Sequence, residues 1–268
     1  MPDMRPETIL QHCDDGALWA PEAQASIGED VRQAYQCALA VRRLRQQRGE
    51  MPRGFKIGFT NRGIWPRYNV SAPIWGTVWD TTLTFCEGEA RLNLAGHSQP
   101  RIEPETVFGL HATPVAGATL DQLFDCIEWV APGFELVQSH APNWKFTAAM
   151  SVADGGLHSH LLVGRRTQVQ QLARSAQTLN ERLAQCQVRL YADDVLKEQG
   201  VGCNVMDGPL LALQYFLEEL RQTPGAPDLL AGDVVTTGTW TDAWAVTVGE
   251  KWRAEFESPL SALTANFV

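Results

Sequence analysis

Residues 101–108 read Arg-Ile-Glu-Pro-Glu-Thr-Val-Phe and are the most informative stretch of the chain. The two glutamates, Glu103 and Glu105, stand two residues apart in a segment predicted to be extended. Successive strand side chains alternate between faces, so both carboxylates point the same way, about 6–7 Å apart at the backbone. This spacing suits two corners of one metal ion's coordination shell. Because Pro104 cannot donate to a neighbouring strand, we expect this strand at a sheet edge or a pocket rim.

A third glutamate, Glu135, lies in the apolar run 131–137, Ala-Pro-Gly-Phe-Glu-Leu-Val. Glutamate in such a run is rarely buried unless it is paired, and a cation is the simplest partner. Three carboxylates with water completing an octahedron are typical of a Mg²⁺ or Mn²⁺ site that is open to substrate. A Glu-x-Glu pair alone is more often a solvated strand face, so the prediction depends on all three residues.

Lys56 is a charged residue among apolar and small neighbours in residues 54–58, Gly-Phe-Lys-Ile-Gly. A lysine in this setting could have a lowered pKa and transfer protons, or could bind a substrate carboxylate as a point charge. The alternative is a lysine on an edge strand that faces water.

Helices are predicted in three places. Apolar residues recur at helical spacing from Val31 to Leu44, behind a capping-box pattern of Ser26 and Glu29. A second helix is predicted to open at Thr119, again with a capping box. The third runs over residues 209–220 and has proline in its first turn.

Strands account for most of the remaining pattern. Residues 54–110 are rich in short β-prone runs, and further strands are predicted at 134–137, 157–163, 234–237, 245–248 and 252–256, with a hairpin over 188–196. Residues 170–183 are interpreted as a polar connector that is partly helical. Strands and helices do not alternate regularly, so we predict an α+β fold with a mixed, rolled β-sheet rather than a doubly wound sheet or an eight-fold barrel. We expect a small helical N-terminal portion, 1–53, and a catalytic domain, 54–268.

Composition restricts the class of partner. The chain has 268 residues, 44% of them hydrophobic, and a net charge of −9 without a long basic cluster, which argues against nucleic acid. No segment has the roughly 20 apolar residues of a membrane span, and no signal-peptide pattern is present. The six cysteines are scattered, so we expect free thiols in a reducing compartment and a cytoplasmic protein.

Motifs along nearly the whole chain match one family in order. The chain resembles the 2-oxopent-4-enoate hydratase and 4-oxalocrotonate decarboxylase group of the fumarylacetoacetate hydrolase superfamily. The matching stretches are 54–60 (GFKIGFT), 73–76 (PIWG), 100–105 (PRIEPE), 134–137 (FELV), 143–145 (NWK), 153–154 (AD), 200–202 (GVG), 231–233 (AGD) and 238–241 (GTWT).

This resemblance implies a fold, a metal and an activity. It implies a rolled β-sheet core, Mg²⁺ or Mn²⁺ on the three glutamates, an acid/base role for Lys56 and a homo-oligomer. The implied activity is a hydratase that adds water to a 2-hydroxydienoate or 2-oxo-enoate, giving a 4-hydroxy-2-oxo acid as in aromatic meta-cleavage catabolism. We assign substrate binding to Thr239, Thr241, Lys145 and Trp79, although the two threonines could equally form a turn.

Departures from the family pattern keep other activities open. Met150 and Gly155 replace polar residues that the family usually carries, so a polar layer around the site is expected to be missing. Trp65, Trp75 and Trp79 indicate either a substrate of different bulk or ordinary core. The alternatives are a 4-oxalocrotonate-type decarboxylase, an acylpyruvate hydrolase and a catalytically inactive assembly partner.

Two other patterns are given no role. His158-Ser159-His160 has the spacing for two imidazoles on one strand face, but the resemblance implies no metal there. Ser139 and His140 are adjacent, yet adjacency is not triad geometry, and no nucleophile-elbow motif occurs in the sequence.

Overall fold

The computed structural model describes residues 5–268 and has the α+β fold that the sequence predicts. The helices are α1 Pro6–Asp15, α2 Pro21–Ile27, α3 Val31–Gln47, α4 Trp65–Tyr68, α5 Leu120–Asp125, α6 Ala148–Ala153, α7 Val169–Leu172, α8 Ala176–Gln185 and α9 Pro209–Gln222. The strands are β1 Pro52–Gly58, β2 Ile74–Trp79, β3 Leu83–Phe85, β4 Glu89–Leu92, β5 Arg101–Leu110, β6 Ile127–Val137, β7 His158–Val163, β8 Thr167–Gln168, β9 Gln187–Ala192, β10 Val195–Val201, β11 Val234–Thr239, β12 Trp244–Ala245, β13 Lys251–Phe256 and β14 Leu263–Phe267.

The strands form two mixed sheets. The larger has nine strands in the described part of the chain, in the order β2-β1-β11-β5-β6-β7-β3, with β12 paired to β5 and β8 to β6. The smaller has five, in the order β10-β9-β13-β14-β4. Three neighbouring pairs are parallel, namely β1 with β11, β3 with β7 and β4 with β14, and the other pairs are antiparallel.

Two of the predicted helix starts are confirmed and one is wrong. Thr119 caps α5 through a capping box with Gln122, and proline opens α9, as predicted. The capping box of Ser26 and Glu29 does not form. Ser26 lies inside α2, and α3 begins after Asp30, whose side chain accepts from the backbone N–H of Arg32 at 2.8 Å. A short acidic side chain directly before the first turn is a good cap.

Of the two positions predicted for Glu103-Pro104-Glu105, the sheet edge is wrong, whereas Glu103 does line a pocket. β5 is an interior strand between β11 and β6. Pro104 is tolerated because the ladder with β11 is irregular here, shifting register between Thr236 and Thr239. The Pro104 carbonyl still accepts from the backbone N–H of Trp240 at 3.1 Å. A bulge in the partner strand thus takes the place of an edge.

Two further segments test the local patterns. The hairpin of β9 and β10 forms as predicted, and both Asp193 and Asp194 in its turn have positive φ. The predicted connector 170–183 is more ordered than expected, since most of it belongs to α7 and α8. Leu179 and Leu183 of α8 are fully buried.

The main core joins the N-terminal helices to the large sheet. Tyr35 of α3 stacks on Trp75 of β2 with ring centroids 4.7 Å apart, and Phe55 of β1 contacts Trp75 on one side and Phe216 of α9 on the other. This packing ties α3 to the sheet. The division into 1–53 and 54–268 stays a prediction.

The other face of the large sheet carries a smaller apolar cluster. Its buried members are Val78, Val107, Trp129, Ala131, Leu161, Val163 and Val234. Because side chains alternate along a strand, this face continues from Val107 to Glu105 and Glu103 on β5, and from Ala131 to Glu135 on β6. The predicted metal ligands therefore lie where the cluster ends. Among residues 5–268, no helix is both long and apolar enough to cross a membrane.

Candidate metal centre

The three predicted glutamate ligands meet on adjacent strands. Glu103 of β5 lies directly opposite Glu135 of β6 in the antiparallel ladder, and Glu105 follows two residues later on the same face. One carboxylate oxygen from each residue lies within 4.8 Å of the others. Glu105 and Glu135 are fully buried and Glu103 is half-buried, so the cluster opens toward solvent on the side of Glu103.

The Glu105 carboxylate has one satisfied oxygen and one free oxygen. Its Oε2 accepts from the Thr236 hydroxyl and from the backbone N–H of Gly238, the latter at 2.7 Å. Its Oε1 is buried and has no hydrogen-bond partner. Burying a carboxylate oxygen without a partner costs free energy. Such an oxygen is a good ligand for a hard divalent cation.

Glu135 is held from two sides. The Lys56 Nζ lies 3.1 Å from Glu135 Oε2 and also donates to the Gly156 carbonyl at 2.9 Å. On the other side, His158 Nδ1 lies 2.9 Å from Glu135 Oε1, and Thr82 Oγ1 lies 2.9 Å from His158 Nε2. These contacts fix the orientation of the carboxylate, as outer partners of metal ligands do.

Charge repulsion and burial shift the pKa values of the cluster. Burial, only partly offset by Lys56, raises the pKa of Glu103 to about 7, and the neighbouring Glu135 charge contributes to the rise. Burial followed by the charges of Glu135 and Glu103 raises the pKa of Glu105 well above its ordinary value. Three carboxylates share a single ammonium, and the residues present therefore fit a divalent cation.

The predicted lowering of the Lys56 pKa is wrong. Burial does oppose the charged form, but the carboxylates of Glu135, Glu103 and Glu105 outweigh it and raise the pKa of Lys56. The lysine is 3% exposed, so the exposed edge-strand interpretation is also wrong.

A cavity of about 240 Å³ reaches the site from the surface. Lys56, Glu103 and Thr239 line it, together with an aromatic wall. In that wall the ring centroids of Phe59 and Tyr68 are 4.6 Å apart, and those of Tyr68 and Phe146 are 5.6 Å apart. Arg67, Arg101 and Asp242 supply the charged groups of the lining. Such a mixture of apolar wall and few polar groups is typical of a small-molecule site.

The structure separates the four predicted substrate-binding residues. Thr239 lines the cavity, and its hydroxyl donates to the Thr241 carbonyl at 2.9 Å, so Thr241 lies behind it. Lys145 lines a different groove, beside Met150. Trp79 packs on the far side of β2, where Arg45 lies 4.5 Å above its ring.

The two departures from the family pattern lie beside the site rather than in it. Met150 belongs to the cap of α6, where its Sδ lies 3.3 Å from the backbone N of Thr147. Gly155 has positive φ and open space around the position of a Cβ. The next residue, Gly156, supplies the carbonyl that holds Lys56.

Sequence reasoning missed several residues of the site. His158 belongs to a motif that was given no role, and Thr236 and Gly238 were seen only as strand and turn. Arg101 belongs to the family motif and was assigned no role, although it lines the cavity and lies 4.3 Å from the ring of Trp144. Its position directly before the glutamate motif was a signal in the sequence. The contact of His158 with Glu135 joins residues 23 positions apart, and no local sequence pattern indicates it.

The α+β fold and the acidic cluster match two features that the resemblance implied, a rolled β-sheet core and a carboxylate site that could hold a divalent cation. No family model matches the chain. It is 28% identical over 224 residues to 2-hydroxyhexa-2,4-dienoate hydratase of Comamonas testosteroni, covering 83% of this chain and 81% of that protein. It is 26% identical over 262 residues to a 4-oxalocrotonate decarboxylase of a Pseudomonas species, covering 95% of each.

A solved structure shows the same fold. The 4-oxalocrotonate decarboxylase from Pseudomonas putida G7, solved with magnesium and adipate, superposes with a TM-score of 0.87 at 22% identity, covering 98% of this chain and 95% of that one. The relatives and the solved structure confirm the resemblance to the 2-oxopent-4-enoate hydratase and 4-oxalocrotonate decarboxylase group that the motifs predicted.

Proposed function

We propose that this protein is a Mg²⁺-dependent hydratase that converts a 2-hydroxydienoate or 2-oxo-enoate into a 4-hydroxy-2-oxo acid. The relatives named above include a hydratase of a dienoate, which supports this reaction class. The observation that carries the proposal is the cluster of three carboxylates within 4.8 Å of one another, beside a buried lysine at the end of a cavity.

Glu103, Glu105 and Glu135 would hold the divalent cation, which Mn²⁺ could replace. When bound, the cation supplies Lewis-acid stabilisation of negative charge on the 2-oxo group of the substrate. Glu105 would offer its unpartnered Oε1, while Thr236 and Gly238 keep its other oxygen in place.

Lys56 is the group that would move a proton. Its ammonium faces the cavity and is oriented by Glu135 and the Gly156 carbonyl. Conversion of the 2-hydroxydienoate into the unsaturated ketone moves one proton from the 2-hydroxyl to the carbon chain, and the Lys56 ammonium would donate a proton to that carbon and recover the hydroxyl proton at Nζ. Water then adds its hydroxyl and proton across the remaining double bond.

The cavity wall would bind the rest of the substrate. Phe59, Tyr68 and Phe146 would give the carbon chain of the substrate an apolar wall. Arg101 offers a fixed positive charge for a carboxylate. Thr239 is the one of the four predicted binding residues that lines this cavity, so we retain it and place Thr241 behind it as support.

The test is turnover of 2-hydroxypenta-2,4-dienoate followed by ultraviolet absorbance, with Mg²⁺ or with EDTA. We expect loss of the dienoate only with Mg²⁺, formation of the hydroxy-oxo acid, and loss of turnover in Glu105→Gln. The matched control is Glu128→Gln, which neutralises an exposed glutamate on the same sheet and should retain wild-type turnover. Turnover that survives in EDTA or in Glu105→Gln would show that the acidic cluster is not the centre.

A decarboxylase is the second candidate, favoured by the charge of the cavity. Arg67 and Arg101 both line it, beside Asp242 and Glu103, and two guanidinium groups suit the two carboxylates of a dicarboxylate. The same site would stabilise the enolate that remains when carbon dioxide leaves a 2-oxo acid. Release of carbon dioxide from 4-oxalocrotonate, with the dienoate left untouched, would select this activity.

We also infer a cytoplasmic homo-oligomer. No disulfide bond joins cysteines within residues 5–268, which suits a reducing compartment. Light scattering of the purified protein measures its oligomeric state directly, and fractionation of the producing cells measures its location.

A further inference from the structure

A second group of metal-ligating side chains lies outside the acidic centre. It consists of Cys13 on α1, His140 after β6 and Asp154 at the end of α6. The Cys13 sulfur, one imidazole nitrogen of His140 and one carboxylate oxygen of Asp154 lie within 4.8 Å of one another. Three different ligand types converge from three separate parts of the chain.

The imidazole of His140 is oriented and incompletely satisfied. His140 Nδ1 lies 2.6 Å from Asp154 Oδ1, and the His140 backbone N–H donates to Asp154 Oδ2 at 3.0 Å. The ring is fully buried against Trp19, and its Nε2 has no hydrogen-bond partner. Because the Asp154 carboxylate faces the Nδ1 edge of the ring, a metal ion shared by the two residues would bind at Nδ1 and replace this contact, while Nε2 lies on the opposite edge.

The cluster also has a route to solvent. Cys13 and Asp154 line a cavity of about 300 Å³ between α1, α3 and β2. This cavity is distinct from the one that reaches Glu103, which Cys13 and Asp154 do not line. A metal ion could enter through it, and a water molecule or small ligand in it could complete the coordination shell.

The thiol is poorly suited to act as a nucleophile. Burial, followed by the charge of Asp154, raises the pKa of Cys13 well above its ordinary range. A thiol that stays protonated does not attack an electrophile, so the Cys-His-Asp arrangement does not favour covalent catalysis. Binding to a metal ion is the process that deprotonates such a thiol outright.

We propose that Cys13, His140 and Asp154 form a second metal site, selective for a soft or borderline divalent ion such as Zn²⁺. Thiolate and imidazole ligands select Zn²⁺ over Mg²⁺, whereas the acidic centre offers oxygen alone. Three protein ligands leave one position of a tetrahedral shell open toward the 300 Å³ cavity. The site ties α1 to the loop after α6 and does not depend on the proposed hydratase reaction.

The experiment uses Co²⁺ as a spectroscopic probe for the full chain, stripped of metal and kept in excess Mg²⁺. We expect one equivalent of Co²⁺ to produce a near-ultraviolet thiolate-to-cobalt charge-transfer band and the visible bands of a tetrahedral ion, and Zn²⁺ to remove both. Cys13→Ser should abolish the charge-transfer band and weaken Zn²⁺ affinity by at least about 100-fold, since even loss of an outer-shell partner costs about 10- to 100-fold.

Two variants separate this site from other thiols and from the acidic centre. Cys203→Ser changes an exposed cysteine and should keep the band. Glu105→Gln disables the acidic centre and should keep it as well, so failure of the hydratase proposal leaves this readout intact. Cys13→Ser is a near-isosteric change, and circular dichroism verifies that it folds. Absence of the band in the wild type, or a band that persists in Cys13→Ser, would overturn the proposal.

Discussion

Replacing Glu103 by glutamine should stabilise the metal-free protein, and the gain should depend on pH. Burial raises the pKa of Glu103 from 4.5 to about 7 in the folded chain. A carboxyl whose folded pKa is raised contributes stability that is fully present below the unfolded value and is lost as pH rises through the folded value. The interval between 4.5 and about 7, at about 1.4 kcal/mol per pH unit, amounts to about 3 kcal/mol at pH 8 and only about 1 kcal/mol at pH 5.

The assay is thermal unfolding in EDTA at both pH values. For a chain of this size, each kcal/mol shifts the midpoint by about 2–4 °C, so Glu103→Gln should unfold about 6–12 °C higher than the wild type at pH 8 and about 2–4 °C higher at pH 5. Glu128→Gln, which alters an exposed side chain, should change the unfolding free energy by less than about 0.5 kcal/mol at either pH.

Adding Mg²⁺ should reverse the order of the two proteins. A ligand that binds only the folded state stabilises it in proportion to the logarithm of its concentration over its Kd, and the variant has lost one of three ligands. The wild type should therefore gain stability with Mg²⁺ while Glu103→Gln gains little. A variant that is less stable than the wild type in EDTA at pH 8, or equally stabilised at pH 5 and pH 8, would refute the argument that uncompensated charge strains this cluster.

Three further substitutions probe the supports of the site. Lys56→Met leaves Glu135 without its ammonium, so turnover should be abolished and metal-free stability should fall by about 3–5 kcal/mol in urea unfolding, whereas Mg²⁺ should restore much of that stability. His158→Gln removes the imidazole from Glu135 Oε1, so Mn²⁺ affinity measured by calorimetry should weaken by about 10-fold. The control is Thr84→Val, which removes the hydroxyl beside His160 and should keep the Mn²⁺ affinity of the wild type. Gly76→Ala would place a Cβ 1.9 Å from the Gly155 carbonyl oxygen, so the backbone beside Gly156 must shift. The free energy of unfolding should fall by about 1–3 kcal/mol, and turnover of the dienoate should fall as well.

Local chemistry explains which elements the sequence could predict. The capping box at Thr119, the proline at the start of α9 and the turn at Asp193-Asp194 each depend on residues within a few positions, and all three are confirmed. The start of α3 was misplaced because Ser26 and Glu29 satisfy the same pattern as a true cap, while Asp30 is the residue that caps. Choosing between Ser26 and Asp30 requires knowing that α2 extends to Ile27, which the local pattern does not show.

Long-range pairing explains what the sequence could not predict. Pro104 indicated a sheet edge or a pocket rim. The strand is interior because β11 shifts register more than 130 positions away in the sequence. Strand pairing in the large sheet also brings Thr236 to Glu105 and His158 to Glu135. The direction of the Lys56 pKa also depends on all three carboxylates, which come from two other strands.

The alternation of apolar side chains along β5 determines both the register of the strand and the face on which Glu103 and Glu105 lie. Ile102 and Phe108 point into the main core, while Val107 points into the small cluster on the face that carries both glutamates. A slip of one residue would move the carboxylates into the main core and expose apolar side chains to the acidic cavity. Because the same hydrophobic pattern that stabilises the sheet excludes that slip, the opposition of Glu103 and Glu135 is set by folding before any cation binds. Lys56 and protonation of the carboxyl groups relieve part of the resulting charge repulsion, and a ligand that supplies positive charge at that point would relieve the rest.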